Sequence, residues 1–278
     1  MKQKSSKDKD QFYTKPAIAK WCLGQLKETI DISVYELLVE PSAGNGAFYN
    51  LLPKKKRIGL DIDPKVSEIL NINYFDWVPL VGVKTGVIGN PPFGKNSNLA
   101  VKFFNKSAEY AEFIAFVLPK TFRKASLINR LNENFHLIKD CELPKNSFIF
   151  EDSPYDVPCC FQIWVKSSKP RQKIKIINQH DDFKIVSKTS YFDFAIQRVG
   201  GRAGLFRDRN EAIHYSDQSH YFIKSNIPLD EIITIFKSID FSEVKFNTAG
   251  NPSISPGELY SLYQKYKELL NHLDKVND

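Results

Sequence analysis

The tetrapeptide at residues 90–93, Asn-Pro-Pro-Phe, has the residue types that point most directly to chemistry. It follows an apolar run, and the carboxyl ends of strands in an open α/β sheet face a ligand crevice. The side-chain carbonyl of Asn90 and the backbone carbonyl of Pro91 can accept both hydrogens of an aromatic amine. Pro92 stiffens the loop, and the ring of Phe93 offers a flat surface for a base. The segment therefore predicts an amine-binding site, and a rigid turn without function is the alternative.

A turn of small residues upstream is the second candidate. Glu40 ends an apolar run, and Gly44 and Gly46 in the turn that follows would let a ligand approach the backbone closely. The segment has neither the G-x-G-x-x-G pattern nor a P-loop, so dinucleotides and nucleoside triphosphates are less favoured. An acid at the end of the next apolar run, Asp61 or Asp63, is the residue type that holds ribose hydroxyls.

The elements that must position these residues alternate along the first half of the chain. Short apolar runs between helical patterns predict βαβ units and a parallel sheet. The expected helix covers residues 17–30, and the expected strands cover residues 37–40, 57–62, 84–89, 113–118 and 161–165. A linker is expected at residues 167–172, and an amphipathic helix is expected to begin at Pro256.

The net charge of +7 is unevenly distributed. Between residues 169 and 209 ten Lys and Arg stand against four Asp, which leaves +6 in that segment. A local excess of this kind is what a polyanion-binding surface would have. A solvated surface that keeps the protein soluble explains the charge equally well.

Several other classes of protein and site are disfavoured. The chain has no run of about 20 apolar residues, so no membrane span is expected. Residues 1–10 lack the apolar core of a signal peptide and are expected to form a disordered basic tail. The four cysteines, with no C-x-x-C pair, predict no metal site, and free thiols predict a cytoplasmic location. Cys159 and Cys160 follow Pro158, as the nucleophile of a cytosine-C5 methyltransferase could, but a core strand is the favoured interpretation.

In this order, the motifs resemble the class I S-adenosylmethionine-dependent methyltransferases that modify adenine N6. NPPF matches the catalytic motif [DNS]-P-P-[FYW] of that family. The similar cofactor motifs are QFYT at residues 11–14, EPSAGNGAF at 40–48, DID at 61–63 and NYFDW at 73–77. Cofactor motifs that precede the catalytic motif resemble the gamma arrangement of DNA adenine methyltransferases, and the resemblance covers residues 11–166.

The resemblance implies specific roles. Glu40 would anchor the methionine end of the cofactor, Asp61 would hold the ribose with Asp63 as the alternative, and Asp76 would accept from the adenine amine. Tyr13 and Thr14 would close over the methionine part, and Gln11 belongs to the same QFYT segment. The cofactor-binding residues implied are Gln11, Tyr13, Thr14, Glu40, Ser42, Gly44, Gly46, Asp61 and Asp76, and the catalytic residues are Asn90, Pro91, Pro92 and Phe93.

The resemblance also implies a fold and a substrate. We expect a Rossmann-like α/β core of seven strands at residues 11–166, followed by a target-recognition region at 167–278. The implied partners are S-adenosylmethionine and a nucleic acid, with DNA preferred and RNA possible. The expected nucleic-acid contacts, each of which could equally be an ordinary solvated side chain, are Lys120, Arg123, Arg198 and Arg202.

Three alternatives to a DNA enzyme remain at this stage. An RNA adenine-N6 methyltransferase has the same NPPF motif. A protein methyltransferase that acts on glutamine usually has Tyr at the fourth position of the motif and an N-terminal helical domain. A non-catalytic nucleic-acid-binding subunit could keep the fold, although the intact motif argues against it.

Overall fold

The computed structural model describes residues 12–277, without the side chains of 273–277. The chain divides into two units, residues 1–174 and residues 175–278. The expected basic tail and Gln11 lie outside the described residues. The expected domain boundary after residue 166 falls inside the first unit, and the role of the second unit in target recognition stays a prediction.

The described part of the first unit contains ten strands, which are distributed along its whole sequence. The strands are β1 (Tyr13–Thr14), β2 (Leu37–Glu40), β3 (Arg57–Asp61), β4 (Leu70–Asn71), β5 (Thr85–Gly89), β6 (Ala111–Pro119), β7 (Phe135–Glu142), β8 (Phe148–Phe150), β9 (Ser153–Tyr155) and β10 (Cys159–Lys166). The α-helices are α1 (Pro16–Thr29), α2 (Asn98–Ala108) and α3 (Ala125–Ile128).

Seven of these strands form one mixed sheet, in the order β4-β3-β2-β5-β6-β10-β7. The pairs from β4 to β6 are parallel, and β10 is antiparallel to both β6 and β7. This confirms the predicted α/β fold class with seven strands. The chain leaves β2 towards β4 on one side and returns to β5 on the other, so the strand order reverses between β2 and β5. A ligand crevice is expected at the carboxyl ends of these two strands.

Helices cover both faces of the sheet. Leu38 of β2 belongs to the core cluster that includes Leu26 of α1. Its neighbour Val39 belongs to the opposite cluster, with Phe104 of α2. Because successive residues of a strand point to opposite faces, a buried strand with helices on both sides is apolar throughout.

The crossovers between the first strands differ from the prediction. Between β2 and β3 the structure has two 3₁₀ turns, Tyr49–Leu51 and Lys54–Lys56, and no α-helix. The physical reason is composition, since this short connection contains Gly44, Gly46 and Pro53, which disfavour an α-helix. The prediction of regular βαβ units is therefore wrong for this crossover.

Cys159 and Cys160 lie in β10, and both are almost fully buried. Burial raises the pKa of both thiols well above the usual range, so neither is an activated nucleophile. This confirms the interpretation of the segment as a core strand.

A small antiparallel sheet, β1-β8-β9, was not expected from the sequence. Tyr13 pairs with Ile149 and Thr14 with Phe148. The N–H of Lys15 donates to the carbonyl of Ser147 at 3.1 Å. The beginning of the described chain is thereby attached to a hairpin that precedes β10.

The second unit is an antiparallel sheet with helices. Its strands, β11 (Phe183–Val186), β12 (Phe194–Gln197), β13 (Phe206–Asp208) and β14 (His220–Ser225), pair in the order β11-β14-β12-β13. Its helices are α4 (Arg209–Ala212), α5 (Leu229–Ser238), α6 (Ser242–Lys245) and α7 (Pro256–Asn277), and the last confirms the helix predicted from Pro256. Residues 175–278 contain 13 Lys and Arg against 14 Asp and Glu, so acids elsewhere in the unit offset its local basic excess.

Two features that the described residues lack bear on function. No helix within residues 12–277 has both the length and the apolar character needed to cross a membrane. In the same part of the chain, no three His, Cys, Asp or Glu side chains come together as a metal site would require.

Candidate active site

A cavity of about 360 Å³ lies where β2 and β5 end, at the point where the strand order reverses. Its volume is within the usual range for small-molecule sites. All four residues at positions 90–93 line it. Six of the predicted cofactor residues also line it: Tyr13, Thr14, Glu40, Ser42, Gly44 and Asp61.

The structure does not bring Gly46 or Asp76 to this cavity. Gly46 is in the turn after β2, where its N–H donates to the carbonyl of Ala43 at 2.6 Å. Asp76 is exposed, while Asn73 and Phe75 of the same segment line the cavity.

The turn after β2 is held against the end of β3 by one carboxylate. Asp61 accepts from the N–H of Gly44 at 2.7 Å through Oδ2 and from the N–H of Asp63 at 2.8 Å through Oδ1. Each oxygen keeps a further lone pair for a ligand. Asp63 does not line the cavity and forms an ion pair with Lys65 at 2.8 Å. Of the two acids left open by the sequence, Asp61 is therefore the one at the site.

The absence of a side chain at Gly44 allows the ring of Tyr13 to pack closely against the turn after β2. Its φ is +50°, and a Cβ added there would lie 2.9 Å from Cε1 of Tyr13. Any other residue would be strained and would also displace the Tyr13 ring.

Glu40 is a buried carboxyl with only 2% of its surface exposed. Its Oε2 has no hydrogen-bond partner within residues 12–277. Burial raises the pKa of Glu40 well above its usual value; a hydrogen bond from the N–H of Tyr49 opposes this, and the charge of Asp61 adds to it. A cation placed in the cavity would favour the ionised form of this carboxyl.

Within residues 12–277, one polar atom of the Asn90 side chain is hydrogen-bonded and the other is not. The backbone carbonyl of Asn90 accepts from Oγ of Ser42 at 2.9 Å, and its side-chain Nδ2 donates to the carbonyl of Phe12 at 3.4 Å. Its Oδ1 is buried and has no partner in the described part of the chain. The amide therefore presents a free acceptor.

Three buried side-chain oxygens of the cavity share this property: Thr14 Oγ1, Glu40 Oε2 and Asn90 Oδ1, none of which has a partner among the described residues. The large majority of buried side-chain polar atoms in proteins are hydrogen-bonded, and each one left without a partner costs about 1–3 kcal/mol. Three in one cavity indicate a ligand that donates hydrogen bonds.

Aromatic and aliphatic side chains form the rest of the wall. Phe93 is half-buried and packs against the core clusters of both sheet faces. Its carbonyl accepts from the N–H groups of Leu99 and Ala100 at 3.1 and 3.2 Å, which joins residues 90–93 to α2. Ile72 and Phe103 supply further apolar surface. The aromatic ring of a ligand can therefore lie against this apolar wall of the cavity.

Of the residues predicted to contact nucleic acid, Lys120 and Arg123 are held in ion pairs. Lys120 pairs with Glu142, while Arg123 pairs with Asp140 at 2.5 Å and with Glu142 at 3.7 Å. The hydrogen bonds to Asp140 raise the pKa of Arg123. Both cations are thus neutralised within the first unit.

The other two predicted contacts lie in the second unit. The guanidinium of Arg198 lies 4.9 Å from the centre of the Tyr221 ring. Arg202 is exposed, in the turn between β12 and β13. A Cβ at Gly204 of this turn would lie only 2.5 Å from Cβ of Phe241, so the turn is packed and not a loose loop.

One wall of the cavity was not predicted from the sequence. Phe12 lines the cavity, and its ring stacks on Tyr155 at 4.8 Å with an interplanar angle of 3°. Phe150 lies 5.5 Å from the same ring. The alternating aromatic residues at 148–155 were the available signal, but their pairing with residues 13 and 14 could not be read from the sequence.

Among known proteins, this chain resembles solved structures in fold but not in sequence. No protein-family model and no curated protein sequence matches this chain. A Pyrococcus horikoshii protein described as a candidate RNA methyltransferase is 15% identical, covering 59% of this chain and 91% of that one, with a TM-score of 0.48. The 23S rRNA methyltransferase ErmE is 14% identical over 57% and 71% of the two chains, with a TM-score of 0.41.

A third solved structure contains a bound nucleoside. It is the plantazolicin methyltransferase BpumL in complex with SAH, which is 9% identical, covers 55% of this chain and 84% of that one, and has a TM-score of 0.37. Each activity is that of the protein named, and at these identities none transfers to this chain.

Proposed function

We propose that this chain transfers a methyl group from S-adenosylmethionine to the exocyclic N6 amine of adenine in nucleic acid, with DNA as the preferred substrate. The observation that supports this most is the buried, unpartnered Oδ1 of Asn90 beside Phe93, in the same cavity as Glu40 and Asp61. One pocket thereby offers an acceptor for an amine and acids for a cationic nucleoside.

The residues present fit S-adenosylmethionine. Glu40 would accept from its ammonium group and Asp61 from its ribose hydroxyls, while Ile62, Ile72 and Phe75 would flank its adenine ring. When bound, this cofactor supplies a methyl group on a positively charged sulfur. The task of the protein is then binding and orientation.

The acceptor would be held by the catalytic motif. Oδ1 of Asn90 and the carbonyl of Pro91 would accept the two hydrogens of the adenine amine. These bonds would localise the nitrogen lone pair and align it with the methyl group, so a separate general base is not required to activate the amine. The N–CH3 bond would form as the S–CH3 bond breaks, which releases S-adenosylhomocysteine, and the methylated amine would lose its extra proton to solvent. The ring of Phe93 would stack on the base.

A base inside a duplex cannot reach such a cavity. The enzyme must extrude the target adenine or use a single strand, and unstacking costs a few kcal/mol. Phosphate contacts made elsewhere on the protein can offset that cost in a salt-dependent way. We assign target recognition to the second unit, because an added region of this kind is expected of a sequence-selective DNA enzyme. Arg198 and Arg202 are its proposed contacts.

The decisive test identifies the methylated nucleoside. The full chain is incubated with labelled S-adenosylmethionine and with duplex DNA, single-stranded DNA or RNA of one sequence, and the nucleic acid is digested to nucleosides. We expect the label in N6-methyldeoxyadenosine, and none with oligonucleotides that lack adenine. Label only in RNA would replace DNA by RNA as the substrate. Label in another base, or in protein glutamine, would contradict the proposal.

A further inference from the structure

One hydrogen bond sets the orientation of the proposed catalytic amide. Nδ2 of Asn90 donates to the carbonyl of Phe12 at 3.4 Å. Because Nδ2 and Oδ1 lie in the plane of one rigid amide, on either side of the Cβ–Cγ bond, the position of Nδ2 also determines that of Oδ1. A rotated amide would present N–H donors to the hydrogens of the substrate amine, where an acceptor is needed.

The carbonyl of Phe12 is in turn placed by neighbours on both sides. The strand that follows it, β1, pairs with β8 through Tyr13 and Ile149. Its own ring stacks almost parallel on Tyr155 of β9, with the ring centres 4.8 Å apart. Tyr155 does not line the cavity, so its ring can affect the site only through its neighbours.

We infer that Tyr155 is a positioning residue for methyl transfer, which acts through Phe12 on the amide of Asn90. This inference rests on the proposed function of the cavity. The cofactor acids, Glu40 and Asp61, lie on β2 and β3 and do not depend on this stack. Both residues of β1, which directly follow Phe12, line the cavity as well, so loss of the Tyr155 ring can also weaken cofactor binding. We expect this loss to lower the rate of methyl transfer more than the cofactor affinity.

The test compares three variants at one position with a neighbouring control. Tyr155→Ala removes the ring, Tyr155→Leu keeps apolar bulk without a ring face, and Tyr155→Phe keeps the ring. Ser153→Ala, at an exposed residue of the same strand, is the control. For each variant we would measure the dissociation constant of S-adenosylhomocysteine, the single-turnover rate on an adenine-containing oligonucleotide, and the crystal structure.

Loss of the ring is expected to lower the single-turnover rate about 10- to 100-fold, as for other small misplacements of catalytic groups. Tyr155→Phe and Ser153→Ala should keep the wild-type rate and the wild-type affinity for S-adenosylhomocysteine, while Tyr155→Ala and Tyr155→Leu should lose more in rate than in that affinity. In the crystal structures without the ring, the distance from Asn90 Nδ2 to the Phe12 carbonyl should exceed hydrogen-bonding length.

Two results would overturn the inference. One is a wild-type rate in both Tyr155→Ala and Tyr155→Leu. The other is an unchanged Asn90–Phe12 distance in a folded variant, and this structural result stands whether or not any methyl group is transferred. If Tyr155→Ala does not fold, Tyr155→Leu decides. A wild-type protein without methyltransferase activity would contradict the proposed function, and the amide distance would still test the positioning role.

Discussion

Two side-chain oxygens of the cavity and one buried carboxylate of the second unit differ in whether the chain itself supplies their hydrogen-bond partners. In the cavity, Glu40 Oε2 and Asn90 Oδ1 have no partner among the described residues. In the second unit, the buried carboxylate of Asp182 accepts from Oη of Tyr263 at 2.8 Å and from Nζ of Lys267 at 2.5 Å. The chain itself pairs Asp182, whereas under the proposed function a ligand would pair Glu40 and Asn90, whose unpaired oxygens cost stability in the ligand-free protein.

The pKa values of Glu40 and Asp182 are shifted in opposite directions, because the partners of Asp182, unlike those of Glu40, stabilise the ionised form enough to outweigh burial. Burial raises the pKa of Glu40 well above its usual value. Burial acts on Asp182 in the same direction, but the hydrogen bonds from Lys267 and Tyr263 outweigh it and lower the pKa of this group. One carboxyl thus lacks a cation that the other already has.

Replacement of the amide in the cavity should have the largest effect. Asn90→Ala removes the acceptor for the substrate amine while Glu40 and Asp61 remain. We expect the single-turnover rate to fall about 10²- to 10³-fold, the range found when one hydrogen-bond donor of an oxyanion hole is removed. The affinity for S-adenosylhomocysteine should stay at the wild-type level. Wild-type methylation by this variant would show that the catalytic assignment is wrong.

The next effect concerns the buried acid of the cavity. Glu40→Gln removes the charge that would pair with the cofactor cation, and charge-assisted hydrogen bonds contribute about 1.5–3 kcal/mol, so affinity should fall about 10- to 150-fold. The wild-type affinity should decline as the pH is lowered through the raised pKa of Glu40, because the protonated carboxyl no longer attracts a cation. Binding titrations over a pH series check this.

Glu40→Gln should remove that pH dependence. Its ligand-free form should also denature at a higher temperature than the wild type at neutral pH, because a buried group that can ionise without a partner has been replaced by a neutral one. Equal pH profiles for variant and wild type would contradict the role of Glu40.

In the second unit, the same kind of change should affect stability. Asp182→Asn weakens the bonds to Tyr263 and Lys267, and we expect a loss of about 1–3 kcal/mol in the free energy of unfolding. The folded pKa of Asp182 is below its usual 3.8. Its contribution is therefore complete above that pH and is lost as the pH falls through the folded pKa. Denaturant unfolding of the wild type and of Asp182→Asn at several pH values measures this contribution. A changed cofactor affinity in Asp182→Asn would contradict the purely structural role given to Asp182.

The smallest effect is expected at the exposed Arg202. Arg202→Ala should weaken oligonucleotide binding a few-fold, and the slope of log affinity against log salt should change by about one phosphate contact. Lys265→Ala is the control, because Lys265 is already paired with Glu243 at 2.6 Å. Equal salt slopes for Arg202→Ala and wild type would remove Arg202 from the nucleic-acid surface.

Local patterns predicted the sheet and much of the cavity. The apolar runs that end at Glu40, Asp61 and Gly89 became parallel strands, and in an open α/β sheet their carboxyl ends meet at one edge. Residue type and strand order were therefore enough to bring Glu40, Asp61 and Asn90 together.

Long-range pairing and short-range turn geometry could not be predicted in this way. The contact of Phe12 with Tyr155 depends on the β1–β8 register, which joins distant parts of the chain. Asp76 was expected at the cavity, but the turn after β4 brings Asn73 and Phe75 there instead. Turns place side chains through backbone angles that no apolar pattern records.

The ion pairs of Lys120 and Arg123 could not be predicted from the sequence either. Lys120 and Arg123 follow β6, as a nucleic-acid contact near the crevice would, yet their partners Glu142 and Asp140 are on β7. Only the antiparallel arrangement of β10 and β7 beside β6 brings these acids into range.

The central claim is that the cavity at the ends of β2 and β5 binds S-adenosylmethionine and presents Asn90 to an amine. A crystal structure of the full chain with S-adenosylhomocysteine tests it most directly. The account predicts the nucleoside in this cavity, with its ribose hydroxyls on Asp61, its ammonium group on Glu40 and Oδ1 of Asn90 still free. A ligand bound elsewhere, or an Asn90 amide turned out of the cavity, would contradict it.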